Sequence, residues 1–169
     1  KTTAIAQRMQ DDGAVLAIDI DERRLDLLRD NAERLGVSCI QPKALAQIDL
    51  KNAGPFDRIL IDAPCSNTGV MRRRVDVRWR LHARELPTLA RTQLDLLKRA
   101  APLLKRGGVL VYSTCSIEPE ENEEVIAAFL RKHRDFRQEN SRTLTPMKDG
   151  TDGAFVARLR LPEPETAES

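Results

Sequence analysis

Apolar residues along the chain alternate between short unbroken runs and longer stretches at helical spacing, the pattern of strands feeding helices. "KTTAIAQRM" (1–9) has amphipathic helical spacing, and "AVLAIDI" (14–20) reads as a buried strand. "DERRLDLLRDNAERLG" (21–36) puts Leu25, Leu28, Ala32 and Leu35 on one face of a helix that Gly36 ends. "SCIQ" (38–41) is a short strand candidate, and "FDRILIDAP" (56–64) has the apolar centre that a parallel strand covered on both faces requires. From Glu85 to about Lys105, Leu86, Leu89, Ala90, Gln93, Leu94, Leu97 and Leu104 recur at helical intervals until "RGG" (106–108) stops them. "VLVYSTC" (109–115) is another buried strand. A helix follows in "SIEPEENEEVIAAFLRKH", where Pro119 suits the first turn and Glu120, Glu121, Glu123 and Glu124 suit the positive end. "DGAFVARLRL" (152–161) reads as a late strand.

Strands alternating with helices predict an α/β domain over residues 1–161, built on a mainly parallel sheet with a terminal antiparallel strand. A total of 169 residues suits one domain, and the polar, proline-containing "PEPETAES" (162–169) is expected to be a disordered tail. No strand precedes "KTTAIAQRM", so the first strand of such a sheet and its glycine-rich loop are expected to be missing. Ligands of these sheets bind at the carboxyl ends of the strands, which directs attention to "AIDID", "LIDAPC" and "YSTC".

Composition narrows the class. Hydrophobic residues at 41% and charged residues at 32% are the balance of a soluble globular protein, and no apolar run reaches the roughly 18 residues of a membrane span. Three cysteines, an odd number at irregular spacing, argue against a disulfide scaffold and for a reducing compartment, with the cytoplasm as the expected location. Neither the thiols nor His82 and His133 approach zinc-ligand spacing, so no metal is expected. Net charge is only +2, yet "MRRRVDVRWRLHAR" (71–84) packs six arginines into fourteen positions, either a solvated face or a phosphate-binding surface.

Asp19, at the end of "VLAID", stands where an acid accepts hydrogen bonds from both ribose hydroxyls in nucleoside-binding sheets; capping of the next helix by Asp19 or Asp21 is the plainer alternative. Cys39, between apolar neighbours, reads as inert core. Cys65 and Cys115 are different: each follows a buried strand and precedes a serine, and if the strands are neighbours both thiols open into one cleft.

"DAPCSNTGV" (62–70) and "STCSIEPEENEEV" (113–125) resemble motifs IV and VI of the Sun (Fmu, or NOL/NOP/Sun) RNA cytosine-5 methyltransferases. "KTT" (1–3) resembles the end of that family's glycine-rich S-adenosylmethionine (SAM) loop, "AIDIDERRLDLLRDNAERLG" (17–36) its motif II, and "VDVRW" (75–79) its bacterial ribosomal RNA members. With "DGAFVARL" (152–159) the likeness covers almost the whole chain, and it implies a Rossmann-like class I SAM-dependent methyltransferase fold.

The chemistry implied needs two thiols. Carbon 5 of cytosine is a poor nucleophile until an enzyme thiolate adds to carbon 6, and the carbon 5 proton must then leave before the enzyme is released. The resemblance makes Cys115 the nucleophile and Cys65 the residue that assists release, acting as a base or through one. It gives Asp62 contacts to the cytosine edge and the SAM pocket, Lys1 a place beside Asp62, and Asp19 the SAM ribose. Where the family has an Asp-Ala pair for the adenine, "QPKAL" puts Lys43 before Ala44; either the contacts differ there or Asp49 takes the role. Arg72, Arg73, Arg74, Arg78 and Arg80 become expected RNA phosphate contacts, Trp79 is expected to pack, and "EPEEN" is expected to cap and orient its helix.

The expected partner is RNA, ribosomal RNA by resemblance, with the protein a monomer. Two other functions stay open: a catalytically silent RNA-binding or structural fragment, and DNA cytosine-5 methylation, in which the Pro-Cys thiol is itself the nucleophile. Methylation of exocyclic amines is disfavoured because "DAPC" replaces the Asn/Asp-Pro-Pro-aromatic signature that grips the base.

Overall fold

A computed structural model describes residues 1–80 and 82–164, without the side chains of Lys51 and Arg80. Residues 165–169 of the expected tail and the Arg80 side chain, an expected RNA contact, lie outside the described residues. The chain divides into two compact units, Lys1–Ala53 and Gly54–Ser169.

In the first unit, helix α1 (Thr2–Arg8) leads to strand β1 (Val15–Asp19), helix α2 (Glu22–Arg34) and strand β2 (Ile40–Ala44). The two strands pair in parallel, with Asp19 opposite Ala44. Asp21, not Asp19, is the N-cap of α2, its carboxylate accepting from the Arg23 N–H at 3.0 Å. Ala6, Ala32, Cys39 and Ile40 form a small core, so Cys39 is a buried residue as its apolar neighbours indicate. The strand begins two residues later than "SCIQ" because Ser38 and Cys39 serve another purpose. Their N–H groups and the Ser38 hydroxyl all donate to the Asp11 carboxylate at 2.6–2.9 Å.

Those bonds, the Ser38 side chain foremost, hold the Asp11 carboxyl well below the usual carboxylate range. A depressed acid stabilises the folded state above its unfolded pKa, near 4, and that contribution is lost as pH falls toward the folded value. Asp11→Ala is therefore expected to lower the thermal midpoint at neutral pH, with the gap from the parent protein closing as the buffer is taken below about pH 4. A gap that stays constant across that window, in thermal melts followed by circular dichroism, contradicts the assignment.

The second unit contains strand β3 (Phe56–Asp62), helices α3 (Val77–Arg80) and α4 (Leu86–Ala100), strand β4 (Leu104–Thr114), helix α5 (Glu123–Lys132), strand β5 (Arg137–Leu144), helix α6 (Pro146–Asp149) and strand β6 (Ala154–Arg160). Its sheet has the order β3-β4-β6-β5, with β3 and β4 parallel and β6 antiparallel to both neighbours. Leu97, Leu110, Tyr112, Ile126, Phe129, Phe155 and Leu159 form its core.

Four expectations are corrected here. The fold is α/β, but its described pairings are mixed, two parallel and two antiparallel, rather than mainly parallel. The extra antiparallel pairing comes from β5, "RQENSRTL", which is exposed along nearly its whole length and so shows no hydrophobic alternation. Strand β3 lies at the end of its sheet, and Leu60 is 39% exposed rather than covered. The long helix ends at Ala100, before Pro102, and "RGG" already belongs to β4, with Gly107 at φ +74°.

Candidate active site

Parallel pairing of β3 with β4 sets Asp62 opposite Ser113, and the ladder runs one step further through the Ala63 N–H, which donates to the Ser113 carbonyl at 2.9 Å. Beyond these strand ends come Cys65 and Cys115. The Cys115 N–H points at the Cys65 sulfur, 3.3 Å away, so the structure brings the two cysteines together. Both are free and half-buried, whereas Asp62 is exposed at the strand end. Burial pushes the Cys65 thiol up, and the Glu121 carboxylate adds to that against the backbone N–H groups of Asn67 and Cys115.

Both loops are held from beneath by polar side chains. The buried Glu121 carboxylate accepts from the Ser66 N–H and the Gln93 amide, each at 2.9 Å, and from the Ser66 hydroxyl. The same Gln93 amide donates to the Pro64 carbonyl at 2.9 Å. Next to Glu121, Asn122 accepts from the Thr114 hydroxyl at 2.6 Å and donates to the Ser116 carbonyl at 3.0 Å. Thr68 ties the two loops directly, its hydroxyl accepting from the Ile117 N–H at 3.1 Å.

"EPEEN" is thus not simply a helix cap. Pro119–Glu121 form a separate turn, α5 starts at Glu123, and the intervening Glu121 and Asn122 face inward with no exposure. Glu121 and Gln93 are the functional candidates the sequence reading missed. A glutamine on the apolar stripe of α4 was the available signal, because a core amide needs a polar partner.

Gly69 closes the site from a third direction. Its N–H donates to the Cys115 carbonyl at 3.0 Å, and its own carbonyl accepts from Gly153 at 2.8 Å. Asp152, next to Gly153, pairs with Arg73 at 2.8 Å and Arg72 at 3.6 Å. Arg72 and Arg73 therefore already have a carboxylate partner, while Arg74 and Arg78 are exposed. Trp79 is 81% exposed, which corrects the expectation that it packs.

Lys1 and Asp19 belong to the first unit. Lys1 stands at the N-cap position of α1, its carbonyl accepting from the Ile5 N–H at 3.0 Å. One oxygen of the Asp19 carboxylate accepts from the Asp21 N–H at 2.9 Å, and the other lies 3.6 Å from Arg24. This partly buried acid at the carboxyl end of a parallel strand, one oxygen only loosely held, fits the two hydroxyls of a ribose. Lys43 is exposed on β2, and the Asp49 carboxylate accepts from Asn52 at 2.7 Å. Among the described residues no cluster of three metal-ligating side chains occurs, and no helix is long and apolar enough to cross a membrane.

Solved methyltransferase structures share this fold. NSun6 from Pyrococcus horikoshii with SFG matches with a TM-score of 0.85 and 32% identity over 96% of this chain and 45% of that one. A methyltransferase homolog protein from the same organism matches with a TM-score of 0.78 and 32% identity over 94% of this chain and 57% of that one. The fold is thus the α/β fold of SAM-dependent methyltransferase structures. The profile of one family, described as 16S rRNA methyltransferase RsmB/F, matches residues 1–160, and the chain belongs to that family of SAM-dependent RNA cytosine-5 methyltransferases. Ribosomal RNA small subunit methyltransferase B of Yersinia pseudotuberculosis is 43% identical over 86% of this chain and 36% of its own length. The probable ribosomal RNA small subunit methyltransferase B of Bacillus subtilis is 36% identical over 95% of this chain and 40% of its own. The chain therefore spans about 40% of the length of the curated relatives it matches.

Proposed function

We propose that the chain carries the catalytic centre for methylation of cytosine at carbon 5 in ribosomal RNA, a reaction of the bacterial cytoplasm, through a covalent bond between Cys115 and carbon 6 of the base. The observation that carries this reading is the contact of the Cys115 N–H with the Cys65 sulfur, which joins two free thiols at neighbouring strand ends. Burial raises the Cys65 thiol, which leaves less of its nucleophilic thiolate and makes that thiolate the stronger base, in keeping with attack by Cys115 and release assisted by Cys65.

Bond formation between the Cys115 sulfur and carbon 6 makes carbon 5 nucleophilic. SAM supplies an electrophilic methyl group when bound. Loss of the carbon 5 proton then drives out the Cys115 thiolate, and Cys65 assists this step as the proton acceptor or through one. Asp62 holds the exocyclic amine and stabilises the charge that builds on the ring. Asp19 binds the SAM ribose. The test is direct: the purified, folded protein is titrated with labelled SAM, and binding is the expected result. A folded chain that binds RNA but not SAM instead favours the silent RNA-binding fragment.

Arg74 and Arg78 contact RNA phosphates, with Arg72 sharing its charge between RNA and Asp152. Affinity for RNA is then expected to fall with salt, and Arg74→Ala with Arg78→Ala should each flatten the log–log salt slope by about one. Unchanged slopes in filter binding remove these two arginines from the interface.

A further inference from the structure

Beneath the thiols, two adjacent residues divide the work of holding them. Glu121 and Asn122 are both fully buried, although each carries a side chain that is costly to bury without partners. Their side-chain hydrogen bonds go to residues flanking a cysteine, or to Gln93, which itself reaches such a residue. Glu121 binds the N–H and hydroxyl of Ser66, which follows Cys65, and shares the Gln93 amide with the carbonyl of Pro64, which precedes it. Asn122 binds the hydroxyl of Thr114 and the carbonyl of Ser116, the two neighbours of Cys115. The Tyr112 hydroxyl anchors the turn itself by donating to the Glu121 carbonyl at 2.6 Å.

We infer that Glu121 and Asn122 form a positioning pair, Glu121 placing the Cys65 thiol and Asn122 placing the Cys115 thiol, so that one rigid turn sets their mutual geometry. This rests on the proposed division of labour between the thiols, and it predicts that the two residues serve different steps. The gap in the chain between them is one peptide bond, so a displacement of this turn reaches both loops together, whereas truncation of one side chain releases the direct hold on one loop.

Gln93 supports the reading from α4. Its amide nitrogen serves both Pro64 and Glu121, while its buried carbonyl oxygen is without a hydrogen-bond partner in the structure. An orientation that leaves an acceptor unsatisfied is held only where the donors matter more. Electrostatics point the same way: the groups facing the Cys65 sulfur are the Glu121 carboxylate, the Cys115 side chain and N–H, and the Asn67 N–H, with the buried Tyr112 hydroxyl nearby.

Four variants test the pair in the purified protein. Glu121→Gln keeps the shape and an acceptor oxygen but removes the charge, and Glu121→Ala removes both; on the other side Asn122→Ala removes both bonds, while Asn122→Asp keeps the acceptor for Thr114 but loses the donor to Ser116 and adds a charge. Adduct formation and release are timed with cytosine-containing RNA and SAM, and alkylation of each cysteine by iodoacetamide is followed against pH by peptide mass spectrometry. Glu121→Ala is expected to slow release at least tenfold with formation nearly unchanged, and Asn122→Ala to slow formation by a similar factor. Glu121→Gln should rescue most of the release rate while moving the alkylation midpoint of Cys65 down by about one pH unit, the ordinary size of losing a nearby like charge. A merely structural role would slow both steps alike in both alanine variants, and that result, or an unmoved midpoint in Glu121→Gln, overturns the inference. Where an alanine variant does not fold, Ser66→Ala, which removes the hydroxyl bonded to Glu121, Thr68 and Ser116, and Thr114→Val, which removes the hydroxyl bonded to Asn122 and the Ser116 N–H, are judged by the same split. If the parent protein forms no adduct, the proposed reaction fails, and the positioning role is then decided by alkylation: Glu121→Ala should change the rate at Cys65 and Asn122→Ala the rate at Cys115, and equal changes at both cysteines overturn it.

Discussion

Cys115→Ala is expected to abolish the covalent complex with RNA and to reduce methylation by roughly 10⁴-fold or more, the scale on which removal of a covalent nucleophile acts. Cys65→Ala is expected to do the reverse for the complex: the adduct forms, release stalls, and protein–RNA species accumulate on a denaturing gel. The contrast follows from geometry and protonation. Both thiols are half-buried at one end of the sheet, and burial with the nearby Glu121 carboxylate pushes the Cys65 thiol up, toward the stronger base of the pair's second step. Equal loss of adduct in both variants would sink the division of roles. Loss only on changing Cys65 would favour the DNA-type mechanism, in which the Pro-Cys thiol attacks.

The second large effect is expected from one methyl group. A Cβ at Gly69 would stand 2.3 Å from the Gly153 carbonyl oxygen and 2.9 Å from the Cys115 carbonyl oxygen. Both obstacles are backbone, so no flexible side chain can move aside, and Gly69 and Gly153 are already joined by a hydrogen bond. Gly69→Ala should cost about 1–3 kcal/mol of stability through overpacking. In a chain of this size each kcal/mol lowers Tm by about 2–4 °C. Because the Cys115 carbonyl is among the crowded atoms, methylation should fall as well as stability. An alanine variant with parental Tm and parental rate shows that this contact does not fix the loop.

Much of this site was legible because strand ends are where an α/β sheet exposes chemistry. "LIDAPC" and "YSTC" advertise strands that stop at reactive groups, and the structure sets the Cys115 backbone against the Cys65 sulfur. Side-chain direction was not legible. Four glutamates around residues 120–124 look alike as a helix start, yet Glu121 alone among them is buried, because a short turn and the Asn122 backbone rotate it inward. Gln93 hid in a leucine stripe for the same reason: spacing reports which face a residue lies on, not which partner it meets. Strand β5 escaped because an exposed, polar edge strand is specified by its neighbour β6 rather than by its own pattern. The arginine cluster was visible as charge, but the pairing of Arg72 and Arg73 with Asp152 joins positions eighty apart and leaves no local trace.

Peptide mapping of the trapped protein–RNA complex tests the central claim most directly. RNA carrying 5-fluorocytidine, from which the carbon 5 substituent cannot leave as a proton, is incubated with the protein and SAM, and the complex is digested and sequenced by mass spectrometry. The nucleotide is predicted on the peptide containing Cys115, with the Cys65 peptide unmodified. A nucleotide on Cys65, or no covalent complex from protein that binds both RNA and SAM, contradicts it.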